Sequence, residues 1–510
     1  MSTKRRGGRS RPTTSGTPRS HSYRQLQHPF TPQAIFSEDG VARIHEMALR
    51  VVQDLGIKIL LPEARQIFEA AGALVDHDTQ IVRIGSDLVE AALATTPTSY
   101  RLRGRSVLRD QMFKDGSMLF APGAGCPNVT DLVRGRRAGS LETYEETIKL
   151  QQSFDVMHVF GPSAEPQDVA PALRHYEMMR IQMECGDKPN FVYARGRGQV
   201  AQSFEMIQLG NDMGAQAFDD DVWCFTVINT NSPRQLDVPM AEGIIDFARA
   251  NQLSIITPFC LAGAMAPITI SGALVLQHAE CLAAITLAQL ARPGAPVAYG
   301  GFSSNVDMKS GSPAFGTPEH IKLSIGSGQL ARHIGLPWRS ATGAASNTND
   351  MQAATETNMA LWAQLQANAT LTVHSAGWLE GGLTFGYEKF INDIEALQTI
   401  AELCQTTPED AESLGWSALS EVEPGGHFFA TQHTMDRYKT AFYEPLVSDL
   451  RNHGAWRDDG AKSSAERATK IWQNTLRDFK APHDSTAVAD RLAAYIESGK
   501  AKGGAAPADG

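Results

Sequence analysis

Four aromatic residues stand at or just past the ends of three successive β-type runs. Tyr299 and Phe302 fall in PVAYGGFSSN, Trp338 in LPWRSATG, and Trp378 in TLTVHSAGWLEGG. His374 closes the last run, inside VHSAG, where small neighbours leave an imidazole room. Rings converging without an adjacent charge suit a flat or cationic apolar group, and each ring facing a quaternary ammonium contributes roughly 0.5–2 kcal/mol. An imidazole at the same edge suits proton or hydrogen-bond work near neutral pH. The polar candidates are Asn229 and Asn231 in INTNSP, Arg339, Asn347, Glu356 and Glu380. Each has a plainer reading: rings packed into barrel layers, a satisfied core histidine, ordinary surface or helix-pairing charges.

These residues act together only if their strands are neighbours. Between the runs lie amphipathic helical stretches, such as EHIKLSIGSGQLARHIG and DMQAATETNMALWAQLQANA, and no run ends in a tight hairpin turn. That is the pattern of parallel βα units. Eight such runs start near residues 117, 155, 190, 223, 254, 296, 336 and 371, each followed by a helical stretch. Count and spacing predict a (β/α)₈ TIM barrel, whose chemistry sits at the strand C-terminal ends. A doubly wound sheet is the alternative. It calls for a Gly-rich phosphate loop after its first strand, whereas PGAGCP carries prolines and no immediate helix.

The predicted organisation is a basic, disordered arm over 1–28, an N-terminal helical layer over 29–111, the barrel over 112–385, C-terminal helices over 386–500 and a disordered tail over 501–510. The arm holds Lys4, Arg5, Arg6, Arg9, Arg11, Arg19 and Arg24 and no acid. No apolar run follows Arg5-Arg6, so a twin-arginine export signal fails. A net charge of -10 excludes a general nucleic-acid binder. No stretch of about 18 uncharged apolar residues predicts a membrane span. Six cysteines without a CxxC pair read as reduced thiols in a cytoplasmic chain. Motifs for a P-loop, a zincin or a nucleophile elbow are absent, and His427 and His433 lack a third ligand nearby.

The segment GFSSNVDMKSGSPAFGTPEHIKLSIGSGQLARHIGLPWRSATGAASNTNDMQAATETNM resembles the trimethylamine methyltransferase family. So do SAGWLEGGLTFGYEKFINDIE, EARQIFEAAGALVDHDTQIVRI and GGHFFATQHT, so that the likeness runs from about residue 35 to 480. It implies a TIM barrel and methyl transfer from an amine to the cobalt of a separate corrinoid (cobalamin) protein. Founding members carry pyrrolysine in the loop after the seventh strand. Here that loop reads GAASNTNDMQA, with Asn347 near the corresponding place. This points to the branch of ordinary residues, which resembles glycine betaine methyltransferases. The expected enzyme takes a methyl group from a small quaternary amine. His374, Asn229 and Glu356 are its catalytic candidates. Tyr299, Phe302, Trp338, Arg339, Asn347, Trp378, Asn231 and Glu380 would bind substrate. His374, Ser375 and Gly377 would meet the corrinoid, no metal site is expected, and a homo-oligomer is. The alternatives are an enzyme for another methylated amine and a non-catalytic barrel that binds quaternary amines.

Overall fold

The computed structural model describes residues 22–508. Its central sheet has eight strands: β1 (Leu26–Gln27), β2 (Ser117–Phe120), β3 (Asn190–Phe191), β4 (Cys224–Ile228), β5 (Leu253–Ile256), β6 (Val297–Gly300), β7 (Trp338–Ala341) and β8 (Leu371–Val373). They lie in the order β1-β2-β8-β7-β6-β5-β4-β3. From β2 round to β3 every pairing is parallel, and β1 alone runs antiparallel, against β2. A helix follows each parallel strand, from Leu141–Ser153 after β2 to Tyr387–Leu403 after β8. The sheet curls, because Leu119, Phe191, Phe225, Ile255, Ala298 and Leu371, drawn from six different strands, share one buried cluster.

Seven of the eight expected parallel strands are present, and the run near 155 is the exception. Met157 N–H donates to Phe154 O in a turn. His158 N–H then donates to Phe120 O (3.0 Å) and Phe160 N–H to Pro189 O (3.1 Å). Residues 155–160 therefore lie between β2 and β3 with one backbone–backbone bond to each side, joined by Phe120 N–H donating to His158 Nδ1, and no ladder forms. Lys188 Nζ grips the entry to this segment through Gln151 O and Phe154 O. Gly161-Pro162 closes its exit, where proline has no N–H to extend a ladder.

The N-terminal layer is less helical than expected. Helices Glu38–Arg50, Pro62–Ala70 and Ser86–Thr95 alternate with strands Ile57–Ile59, Leu74–Asp76 and Ile81–Arg83, which form a small sheet with Gln235–Leu236. A hairpin, Ser99–Leu102 with Gln111–Lys114, adds Tyr100 and Phe113 to the interior cluster. C-terminal helix Ser464–Arg477 packs on Tyr387–Leu403, and Ser485–Ala501 on the helices around 174–210. One helix among the described residues, Ile270–Ala291, is long and apolar enough to cross a bilayer. It is enclosed by helices Glu38–Arg50, Ser86–Thr95 and Val238–Arg249.

Both ends of the described chain depart from the disorder expected of them. Tyr23 Oη donates to Arg109 O and His158 O, Arg24 donates to Ala401 O, and Leu26 is buried in β1. The arm residues 1–21 lie outside the described residues. At the other end Ala505 N–H donates to Ala172 O and Ala508 N–H to Arg195 O. Small side chains let this backbone lie against the body: a Cβ on Gly504 would stand 2.1 Å from Ala172 O.

Candidate active site

A cavity of about 330 Å³ opens at the C-terminal ends of the strands. Strand alternation decides what faces it. Along β6 and β7, Ala298 and Arg339 face inward, while Tyr299 and Trp338 face the helices. After β8 the alternation breaks. Val373 and His374 are consecutive, yet both line the cavity. His374 has φ +56°, an uncommon conformation for a non-glycine residue, and this turns its ring back inward. The turn is held by His374 N–H donating to Pro122 O and by Thr342 Oγ1 donating to His374 O (2.8 Å).

The backbone also fixes the tautomer. Ala124 N–H donates to His374 Nδ1 (3.2 Å), so the ring proton of the neutral imidazole sits on Nε2. Burial, helped by Arg339, holds this imidazole well below its usual pKa. His374 Nε2 lies 3.5 Å from Arg339 Nη2. Both atoms are donors, so neither satisfies the other. Arg339 is buried, its Nε and Nη1 have no hydrogen-bond partner, and its guanidinium sits 5.4 Å over the Phe302 ring. Burial lowers its pKa to about 9, which leaves it charged at neutral pH. Among the described residues it is the one charged side chain in the cavity lining.

Rings surround this pair. Trp378 stacks on His374 (centroids 4.6 Å, planes 20°), Phe259 stacks on Phe302 (5.0 Å), and Phe302 meets Trp378 edge-on (5.7 Å). Gly343 (φ +128°) and Gly382 (φ +102°) make room for the indole, since a Cβ on either would stand within 2.5 Å of its ring atoms. The opposite wall, Phe160, Phe191, Tyr193, Phe225 and Val227, is apolar apart from the Tyr193 hydroxyl.

The family model described as trimethylamine methyltransferase (MTTB) matches residues 4–504. This chain belongs to that family. It is 32% identical over 466 residues to the glycine betaine methyltransferase of Desulfitobacterium hafniense (strain Y51), covering 91% of this chain and 96% of that one. It is 27% identical over 464 residues to the trimethylamine methyltransferase MttB of Desulfitobacterium hafniense (strain DSM 10664 / DCB-2), covering 91% and 93%. Identity is also 27% over 476 residues to the trimethylamine methyltransferase MttB1 of Methanosarcina mazei, covering 92% and 95%.

Of the residues singled out in this family member's sequence, the cavity brings together His374, Arg339, Phe302, Trp378 and Asn229. Asn229 Nδ2 donates to Thr257 O. The others lie elsewhere. Tyr299 Oη bonds Gln277 and His278 in the outer helix layer, and Trp338 Nε1 donates to Asn368 O. Glu356 accepts from Ser346 N–H (3.1 Å) and Gln352 Nε2, steadying the loop after β7 from outside the cavity. Asn231 pairs with Asp237 at a helix start, and Asn347 is exposed on its loop outside the lining. Glu380 forms an ion pair with Arg136 (2.9 Å), fixing the turn whose Gly381 and Gly382 reach the cavity. Ser375 Oγ donates to Ala121 O (2.7 Å) and Gly377 N–H to Asp393, so both serve the backbone.

Phe259, Tyr193 and the PGAGCP loop join the lining without being site candidates from sequence. For Phe259 the signal was its place in SIITPFC, just past a strand end. On sequence the loop reads, from its glycines and prolines, only as a poor phosphate site. Its role is to hold His374 through Ala124 and to meet the indole, whose Nε1 donates to Ala124 O.

Proposed function

We propose that this protein takes a methyl group from a quaternary ammonium carboxylate, glycine betaine or a close relative, and hands it to a reduced corrinoid on a partner protein. The observation that carries the reading is the Arg339–His374 pair: two converging donors, one of them a buried guanidinium, with no acceptor between them among the described residues. A substrate carboxylate supplies that acceptor, and charge-assisted bonds to it are the strong kind. Among the described residues no acidic side chain lines the cavity, so a bare cation such as trimethylammonium or choline would face Arg339 uncompensated. A zwitterion brings its own counter-charge.

The remaining chemistry is positioning. A quaternary ammonium already carries its leaving group as a neutral amine, so the chain needs no nucleophile or acid of its own. Arg339 and His374 pin the carboxylate, the rings of Phe302, Trp378 and Phe259 hold the ammonium, and one methyl is presented in line. Arg339 also repels the ammonium before transfer, and methyl loss turns that ammonium into a neutral amine, so the repulsion disappears as the reaction proceeds. A cavity of about 330 Å³ has room for a methylated amine and not for a corrin ring. The ring would therefore rest at the mouth, against Gly125, Gly381, Gly382 and the exposed Leu383. A Cβ on Gly125 would meet nothing within 4 Å, which leaves a flat surface there open. When bound, the reduced cobalt supplies the nucleophile that takes the methyl group. The support around the cavity is read as a (β/α)₈ barrel in which residues 155–160 fill the place of the second strand.

The experiment is methylation of cob(I)alamin, followed by its absorption, with glycine betaine, carnitine, proline betaine, choline and trimethylamine. Turnover of one or more betaines ahead of choline and trimethylamine is expected. Turnover of trimethylamine alone defeats the reading.

A further inference from the structure

The cavity holds more than the anchor and the cage use. Glycine betaine displaces about five waters, roughly 150 Å³. The cavity measures about 330 Å³. The spare room lies away from the anchor. Phe302, Trp378 and Arg339 are 7%, 5% and 2% exposed, so little free space borders them, whereas Tyr193 and Val227 are only half-buried. Those two belong to the wall built by β4 and the exit of β3, across the curled sheet from Arg339 on β7. Phe191 meets Tyr193 edge-on (5.0 Å) and Phe225 edge-on (5.4 Å), and Arg195 covers the outer face of Tyr193 (4.2 Å). The rings are thereby fixed. With Phe160 they present an aromatic surface that, among the described residues, carries no acid and no base.

We infer that the substrate is the betaine of an α-amino acid with an aromatic side chain, and that this wall holds the side chain. The inference rests on the reading of Arg339 and His374 as a carboxylate anchor. Spacing sets the α position. The Arg339 guanidinium lies 5.4 Å over Phe302, and Phe302 stands 5.7 Å from Trp378, so anchor and cage share a ring. A carboxylate and an ammonium held that close belong on one carbon. The next substituent of that carbon then points away from both, across the cavity to Phe191, Tyr193, Phe225 and Val227. An aromatic side chain buries roughly 150–250 Å² and packs edge-to-face or offset on such rings. It brings the ligand to about nine waters, roughly 270 Å³, which the cavity takes with little left over. In the transfer one N–CH₃ bond breaks and nitrogen keeps its electron pair. The methyl passes to the reduced corrinoid, which supplies the pair of the new bond, and the N,N-dimethyl amino acid leaves.

The test gives the full chain N,N,N-trimethyl-L-phenylalanine, glycine betaine, carnitine and choline. It measures cob(I)alamin methylation with each, and calorimetric binding of each to the chain alone. Trimethylphenylalanine should exceed glycine betaine at least tenfold in kcat/KM and in affinity. Carnitine, whose charges stand further apart, should trail trimethylphenylalanine by as much. Val227→Phe puts a ring of the protein where the substrate's ring would lie, and should reverse the order of trimethylphenylalanine and glycine betaine. The milder Val227→Leu should cut the preference at least threefold, and the wild-type order decides even where neither variant folds. Glycine betaine or carnitine used as well as trimethylphenylalanine by wild type overturns this inference and leaves the carboxylate anchor standing. A preference for trimethylphenylalanine that survives unchanged in a folded Val227→Phe also overturns it. Choline ahead of every betaine, or no binding and no turnover of any of them, defeats the anchor and the inference together.

Discussion

Two pairs of aromatic residues, both drawn from the last three strands of the sheet and their exits, have opposite fates. Tyr299 and Trp338 point into the helix layer, each fully buried and hydrogen-bonded there. Phe302 and Trp378, a few residues past their strand ends, ring the cavity. The difference is register: inside a strand, side chains alternate faces, and past its end loop geometry decides. Residue type alone did not separate the pairs. Arg339, directly after Trp338, takes the inward place for the same reason.

The comparison breaks if the outer pair matters for substrate or the inner pair only for folding. Trp338→Ala should show the largest effect, a loss of about 3–5 kcal/mol in unfolding free energy. Methyl transfer per folded molecule should stay near wild type. Urea denaturation alongside active-site titration separates the two, and a stable but inactive variant would place Trp338 in the site after all.

Both faces hold neutral histidines, and pH tests them together. Burial lowers His320, which packs edge-on to Phe302 and Phe315, to about 4, and holds His278, bonded to Tyr299, well below its ordinary value. Below about 6.5 the unfolded chain binds protons that the folded chain refuses. This stability is therefore complete above pH 6.5 and is lost as pH falls towards the folded values. For His320 alone the loss reaches on the order of 3 kcal/mol. Urea midpoints at pH 7.5, 6.0 and 5.0 should fall steadily, and a flat profile would mean that these rings are protonated in the folded state.

The smallest effect belongs to the cage. Phe302→Leu should weaken substrate binding by roughly 0.5–2 kcal/mol, a few-fold to about thirtyfold. The rise should be in KM, with the melting temperature within a few degrees of wild type. If binding is untouched, the cation sits elsewhere, and the wall of Phe191, Tyr193 and Phe225 becomes the place to look.

Much of the fold was legible because parallel βα units repeat at a length that spacing reveals, and seven of the eight runs became strands. The run at 155 did not, since β-type residues there are bounded by a helix end and Gly161-Pro162, and backbone partners on both sides are reached only once. In the site, His374 and Arg339 stood out as residue types at strand ends. Their relation to each other did not, because it depends on a left-handed φ at His374 and on a backbone N–H from Ala124, 250 residues away in sequence. The ends of the chain misled through composition. Tyr23, Arg24 and Leu26 seat residues 23–26, and backbone bonds together with Gln199 Nε2 donating to Ala505 O seat the tail.

The central claim is that Arg339 and His374 hold a substrate carboxylate. Its most direct test compares glycine betaine with choline, which keeps the ammonium and lacks the carboxylate, in wild type and in Arg339→Met. Initial rates of cob(I)alamin methylation give kcat/KM for each. Wild type should favour the betaine by about a hundredfold or more, as expected when a buried charge pair loses one member. Arg339→Met should lose most of its activity on the betaine while its activity on choline holds or rises, so that the preference collapses. Equal use of both substrates by wild type, or an equal loss on both in the variant, would contradict the account.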